Sequence, residues 1–298
     1  MVVALGGVLV LGAHSTVFAR GAEPIMRVEL HLAPDARTRP HVVLMTLGGP
    51  IYCVQLRTLA RRLRASLVCA DYGRNGYEGR GERTARMEDW GDPAYLDQVA
   101  TLPAKLRAKG VKIAKLALVG VSYSGYANAE LVATHPEMRP DALVVVDSYL
   151  DLAARFRALL PSHLTRREMT EALGGSPDER PDAYAARSPS HHLDGLAAAI
   201  RDGMRLVVVW SLSPQEKREF RGATCSREAN AEWLSKLATA LGRPVVGYVT
   251  QMRHGHALWD RGSALLALAG IGTPARPFSP RQVTFRPGEE PPPDSYCT

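Results

Sequence analysis

Lysine is scarce in this chain of 298 residues: only six of the 37 basic residues are lysine, which leaves 31 arginines. The net charge is +7, but the arginines are scattered, with no basic tail and no zinc-finger spacing. That pattern is a solvated basic surface and points to no nucleic-acid partner. Cysteine is also sparse. Cys53, Cys69, Cys225 and Cys297 form no CxxC pair and no metal-ligand spacing, so no metal is expected. Cys69 lies in an apolar run and reads as a buried thiol, while the even count permits two disulfides without arguing for them. No apolar run reaches the roughly 18 residues of a spanning helix, which excludes stable membrane insertion. No Lys or Arg precedes the apolar stretch Val2 to Ala13. Although Val17-Phe18-Ala19 suits cleavage after Ala19, that lack favours a cytoplasmic location over export.

What is present is a large core. A hydrophobic content of 46% with 22% charged residues excludes a disordered chain. Residues 1–25 read as an extension or signal segment, 26–272 as one α/β domain, and 273–298 as a Pro-rich tail with no helical or strand period. Within the domain, strands are expected at Arg27 to Leu32, His41 to Leu47, Ser66 to Ala70, Lys115 to Val119, Ala142 to Val146, Leu206 to Trp210 and Pro244 to Thr250. Between them, Leu56, Leu59, Ala60 and Leu63 mark an amphipathic helix. Further helices are expected at Tyr95 to Lys109, Tyr126 to Thr134, Ala229 to Leu241 and from Leu258. Strands alternating with helices mean a mostly parallel sheet covered on both faces. About 150–203 reads as an inserted lid.

The segment Val119-Gly120-Val121-Ser122-Tyr123-Ser124-Gly125 runs from a buried strand into a helix. This is the context of a nucleophile elbow, in which a serine stands at the tip of a sharp strand-to-helix turn. Ser122 is the expected nucleophile, and Ser124, inside the helix, is the poorer choice. The Tyr123 N–H opens the helix and is suited to hold an oxyanion, aided by the helix dipole. A second donor is expected near Gly49, in Gly48-Gly49-Pro50 after the strand His41 to Leu47.

A general base is expected beyond the last strand, where His254 and His256 stand. His256 is preferred because Gly255 precedes it and it opens the final helix. The pair His191-His192 falls in the insertion and reads as structural or exposed. An acid commonly follows the strand Leu206 to Trp210, yet the chain there reads Ser211-Leu212-Ser213-Pro214-Gln215-Glu216, with no Asp. Asp147, at the end of the preceding strand, is therefore the expected acid. Glu216 and Glu219 are the alternatives.

These motifs resemble the thioesterases of polyketide and nonribosomal peptide synthesis, within the α/β-hydrolase superfamily. The resemblance rests on Gly48-Gly49-Pro50, on Gly120 to Gly125, and on Val146-Asp147-Ser148-Tyr149, and it covers about 27–270. It implies an acyl-enzyme mechanism on a thioester or ester with no cofactor, and a substrate that is a small molecule or rides on an acidic carrier protein. Arg61, Arg62, Arg64, Arg155 and Arg157 would then face the carrier. Tyr184 to Pro189 and the ending around His256 instead look like prolyl-oligopeptidase-type peptidases, which leaves a peptidase or amidase open. A non-hydrolytic enzyme, performing elimination or cyclisation, is a further alternative. A non-catalytic module on the same fold is disfavoured by the presence of both Ser122 and a histidine.

Overall fold

The computed structural model describes residues 26–72, 90–212 and 231–292. Segment 1–19, the loop after Tyr72, Cys225 and Cys297 lie outside these residues. The described strands form one sheet in the order β1-β3-β2-β4-β5-β6-β7-β8. They are β1 Met26–His31, β2 His41–Leu47, β3 Ser66–Tyr72, β4 Ile113–Val121, β5 Ala142–Val146, β6 Arg205–Ser211, β7 Val245–Thr250 and β8 Arg281–Phe285. The six inner strands run parallel, and β1 and β8 close the two edges antiparallel. Every residue of β5 is buried, as a central strand covered on both faces requires.

Helix α1 (Pro50–Leu63) follows β2 and lies on β2 and β3. Of its expected apolar stripe, Leu56, Leu59 and Ala60 are buried and Leu63 is partly buried, while Tyr52 and Cys53 extend the buried face toward the N-terminus. The remaining described α-helices are α2 (Pro93–Ala100), α3 (Leu102–Ala108), α4 (Tyr123–Thr134), α5 (Leu152–Ala158), α6 (Leu164–Leu173), α7 (Pro181–Ala185), α8 (Leu193–Arg201), α9 (Glu232–Leu241) and α10 (His256–Leu268). Helix α10 packs beside α1 and against β5 and β6, whereas α8 packs on both α4 and α9. Among the described residues, no helix is long and apolar enough to cross a membrane.

The structure revises three expectations. The helix expected over Tyr95 to Lys109 is two helices, because Pro103 has no N–H to continue the ladder past Thr101. Within the stretch 150–203 expected as a lid, α8 packs on α4 and α9, the helices that cover the sheet. The tail is not structureless, since 281–285 pairs with β7 and buries Val283 and Phe285. Cys69 is buried but is no thiol, because it is bonded to Cys53 across 16 residues and ties α1 to β3.

Candidate active site

Strand β4 carries Ser122 to the C-terminal edge of the sheet. Ser122 has φ 55° and ψ −124°, a conformation that non-glycine residues rarely adopt. Three bonds hold it there. Its N–H donates to Val146 O at 2.9 Å, and its carbonyl accepts from Tyr126 N at 3.1 Å and from Ser148 Oγ at 2.7 Å. The turn also needs Gly120. A Cβ there would stand 2.5 Å from Gly125 N and 2.6 Å from Ser124 O, so any side chain would push the helix off the strand. Ser124 is fully buried, and its hydroxyl lies 2.6 Å from Thr46 Oγ1, which makes it a tie to β2.

Tyr123 is the first residue of α4, so its N–H points off the helix end beside Ser122. Its ring is buried against Trp90, Tyr126 and Tyr52. That ring crosses Gly48, where a Cβ would come within 2.8 Å of it. Gly48 and Gly49 have φ of 101° and 91°, which only glycine adopts without strain. The loop from β2 thus turns sharply into α1, with Gly49 as its N-cap. A buried carboxylate, Asp71, borders it: a Cβ on Gly49 would lie 3.1 Å from Asp71 Oδ1.

Asp147 follows β5 with φ 45° and is fully buried. Oδ1 accepts from Ser211 N at 2.6 Å, and Oδ2 accepts from Ser211 Oγ at 3.0 Å and from Gly255 N at 2.7 Å. The carboxylate therefore binds the end of β6 and the loop after β7. Ser211 stands where the sequence lacks an acid, and the acid of the neighbouring strand reaches across to it. The alternatives Glu216 and Glu219 lie outside the described residues.

The two histidines separate. Gly255, bonded to Asp147, directly follows His254, so the structure brings the His254 backbone to the acid. His256 begins α10, and its Nδ1 lies 2.9 Å from Asp260 Oδ2 one turn along that helix. Its ring packs edge-on to Trp259 and is 37% exposed. The glycine that favoured His256 in the sequence is instead the residue whose N–H docks on Asp147.

His191 and His192 are anchored elsewhere. His192 Nδ1 lies 2.9 Å from Glu130 Oε1, and Glu130 is buried in α4. Burial pushes the Glu130 carboxyl up, and the hydrogen bond to Glu130 raises His192 above its ordinary value. His191 sits 3.7 Å from Asp151. Arg61, Arg62 and Arg64 lie at the far end of α1, about 18–22 Å from Gly49 at 1.5 Å per residue. Arg155 is buried over the Tyr149 ring, and Arg157 pairs with Asp178.

No protein-family model matches the sequence, and comparison with the curated proteins finds no match. Solved structures are similar in shape. An S-formylglutathione hydrolase from Agrobacterium tumefaciens superposes with a TM-score of 0.56 at 13% identity, over 90% of this chain and 97% of that one. MPT51 of Mycobacterium tuberculosis gives 0.55 at 17%, over 88% and 99%. An acylaminoacyl peptidase of Pyrococcus horikoshii gives 0.58 at 13%, over 89% of this chain but 42% of the peptidase. The parallel sheet, the elbow after its fourth strand and these likenesses identify the architecture: the chain has the α/β-hydrolase fold.

Proposed function

We propose that this protein is a serine hydrolase that transfers an acyl group from an ester or thioester onto Ser122, with His254 as general base and Asp147 as its orienting acid. The observation that carries the reading is the Asp147 carboxylate clasping Ser211 and Gly255, which sets the loop bearing His254 beside the acid. His256 is not assigned the base because its ring is engaged with Asp260.

In this reading His254 takes the Ser122 proton as Oγ attacks the carbonyl carbon. The oxyanion is held by the N–H groups of Tyr123 and Gly49, at the helix end and the glycine turn. The tetrahedral adduct collapses, and the protonated His254 gives its proton to the departing alcohol or thiol. Water, or a nucleophile within the acyl group, then releases the product. The placement of the acid after β5 favours a thioesterase-like substrate, presented as a small molecule or on a carrier protein.

Labelling with a fluorophosphonate, read by intact mass, tests the assignment without knowledge of the substrate. Wild type and His256→Gln should gain one adduct, whereas Ser122→Ala should gain none and His254→Gln should label slower by on the order of 10³-fold. Normal labelling of His254→Gln with loss in His256→Gln would reverse the assignment of the base. Comparing an acyl thioester, the matching oxygen ester and the matching anilide then ranks thioesterase against amidase activity.

A further inference from the structure

On the face of the sheet beneath α1, side chains with metal-binding atoms meet beside the disulfide. Glu29 and His31 are two residues apart on β1 and so share a face. Glu29 pairs with Cys69 in the β1–β3 register, and Cys69 is bonded to Cys53 of α1. Ligand atoms of Glu29, His31 and Cys53 all lie within 4.8 Å of one another. A cation already serves this cluster: Arg57, one turn after Cys53, donates from Nε to His31 Nε2 at 3.1 Å and pairs with Glu29. Both sulfurs are buried, while Glu29 and His31 are partly open to solvent.

We propose that reduction of the Cys53–Cys69 disulfide creates a site for zinc or a similar thiophilic divalent ion, with Glu29, His31, Cys53 and Cys69 as its ligands. A dithiol or phosphine supplies two electrons, the S–S bond breaks, and two protons complete the thiols. The ion then displaces both thiol protons to solvent and forms two metal–sulfur bonds, one bond to the imidazole nitrogen and one to the carboxylate. Metal–sulfur bonds of about 2.3 Å, with N and O at 2.0–2.2 Å, set tetrahedral ligands about 3.3–3.8 Å apart. Side-chain rotation closes the difference from the observed spread. Arg57 swings outward, because its charge is replaced.

The site is exclusive with the disulfide, since sulfurs bonded to each other are not thiolate ligands. The disulfide braces α1 against β3, and the metal would brace it against β1 as well. Cys53 N donates to Gly49 O at 3.4 Å, so the brace acts one helical turn from the glycine loop. Metal binding would let this loop stay anchored in reducing surroundings.

Cobalt(II) is the probe, used on the full chain carrying Cys225→Ser and Cys297→Ser and kept under phosphine, with both remaining thiols verified by alkylation and mass. The reduced protein should take up one cobalt per chain, with sulfur-to-metal charge-transfer bands and the strong visible absorption of tetrahedral coordination. The oxidised protein should take up none. Glu29→Gln and His31→Gln, which keep both sulfurs, should each weaken binding at least ~10-fold, and Arg57→Leu should tighten it. No uptake by the reduced protein overturns the proposal. So does an affinity unchanged in Glu29→Gln and His31→Gln, or equal uptake by the oxidised form.

Discussion

Replacing Asp147 with Asn removes one charge and almost no volume, and Asn tolerates the φ of 45° at this position. The wild-type carboxylate accepts from Ser211 Oγ and Gly255 N on Oδ2 and from Ser211 N on Oδ1. The amide has only one acceptor oxygen. If that oxygen faces Ser211 N, the NH₂ group meets Gly255 N–H, donor against donor. Ser211 Oγ can rotate to accept, but the Gly255 amide cannot. One buried N–H is then left unsatisfied, at a cost of about 1–3 kcal/mol. The effect on chemistry is larger. An amide cannot stabilise the imidazolium and selects the wrong tautomer, so the turnover of an ester should fall on the order of 10⁴-fold. Fluorophosphonate labelling should slow in step, and urea unfolding reads the stability loss separately. Labelling within about tenfold of wild type, together with the expected stability loss, would make Asp147 a strand clasp and refute its catalytic role.

Gly120→Ala should destabilise the fold by about 3 kcal/mol or more and abolish labelling, because the new methyl meets α4 backbone atoms at 2.5 Å; a variant with the wild-type urea midpoint would show that the elbow is looser than described. Ser124→Ala should cost about 1–3 kcal/mol, from the buried Thr46 hydroxyl it leaves without this partner, yet label at the normal rate. Loss of labelling with stability intact would move the nucleophile to Ser124. For the Glu130–His192 pair both shifts are upward, so the folded state holds protons more tightly than the unfolded chain. The His192 contribution is full below 6.5 and is lost as pH rises through the raised folded value; that of Glu130 declines above 4.5. Glu130→Gln should therefore flatten the fall in urea midpoint across this window, and an unchanged slope would place its origin elsewhere.

The inner strands and α1 were legible because burial on both faces leaves unbroken apolar runs, and burial on one side leaves a 3.6-residue stripe. The elbow was legible for a steric reason: a turn this tight demands small residues two before and two after Ser122, and Gly120 and Ser124 stand there within five consecutive positions. Edge strand β8 was not legible. It buries only Val283 and Phe285 and follows a proline-containing stretch, so its pairing with β7 left no local period. The break at Thr101 was readable from Pro103, but the apolar pattern on either side of it masked the stop.

Sequence alone singled out Ser122, Asp147, Gly49 and Tyr123 as candidates for the chemistry, from their neighbours along the chain. Only the tertiary structure decided how the loop bearing His254 and His256 meets the acid. Two histidines separated by one glycine have nearly identical local surroundings. What distinguishes them is a contact spanning 108 residues, the Gly255 N–H on Asp147, together with the Asp260 partner that the first turn of α10 sets against His256. The pairing of Cys53 with Cys69, and the gathering of Glu29 and His31 beside it, were likewise settled by strand register and by the docking of α1. Such contacts join segments with no shared local pattern, and they exist only once the sheet has brought its strands together.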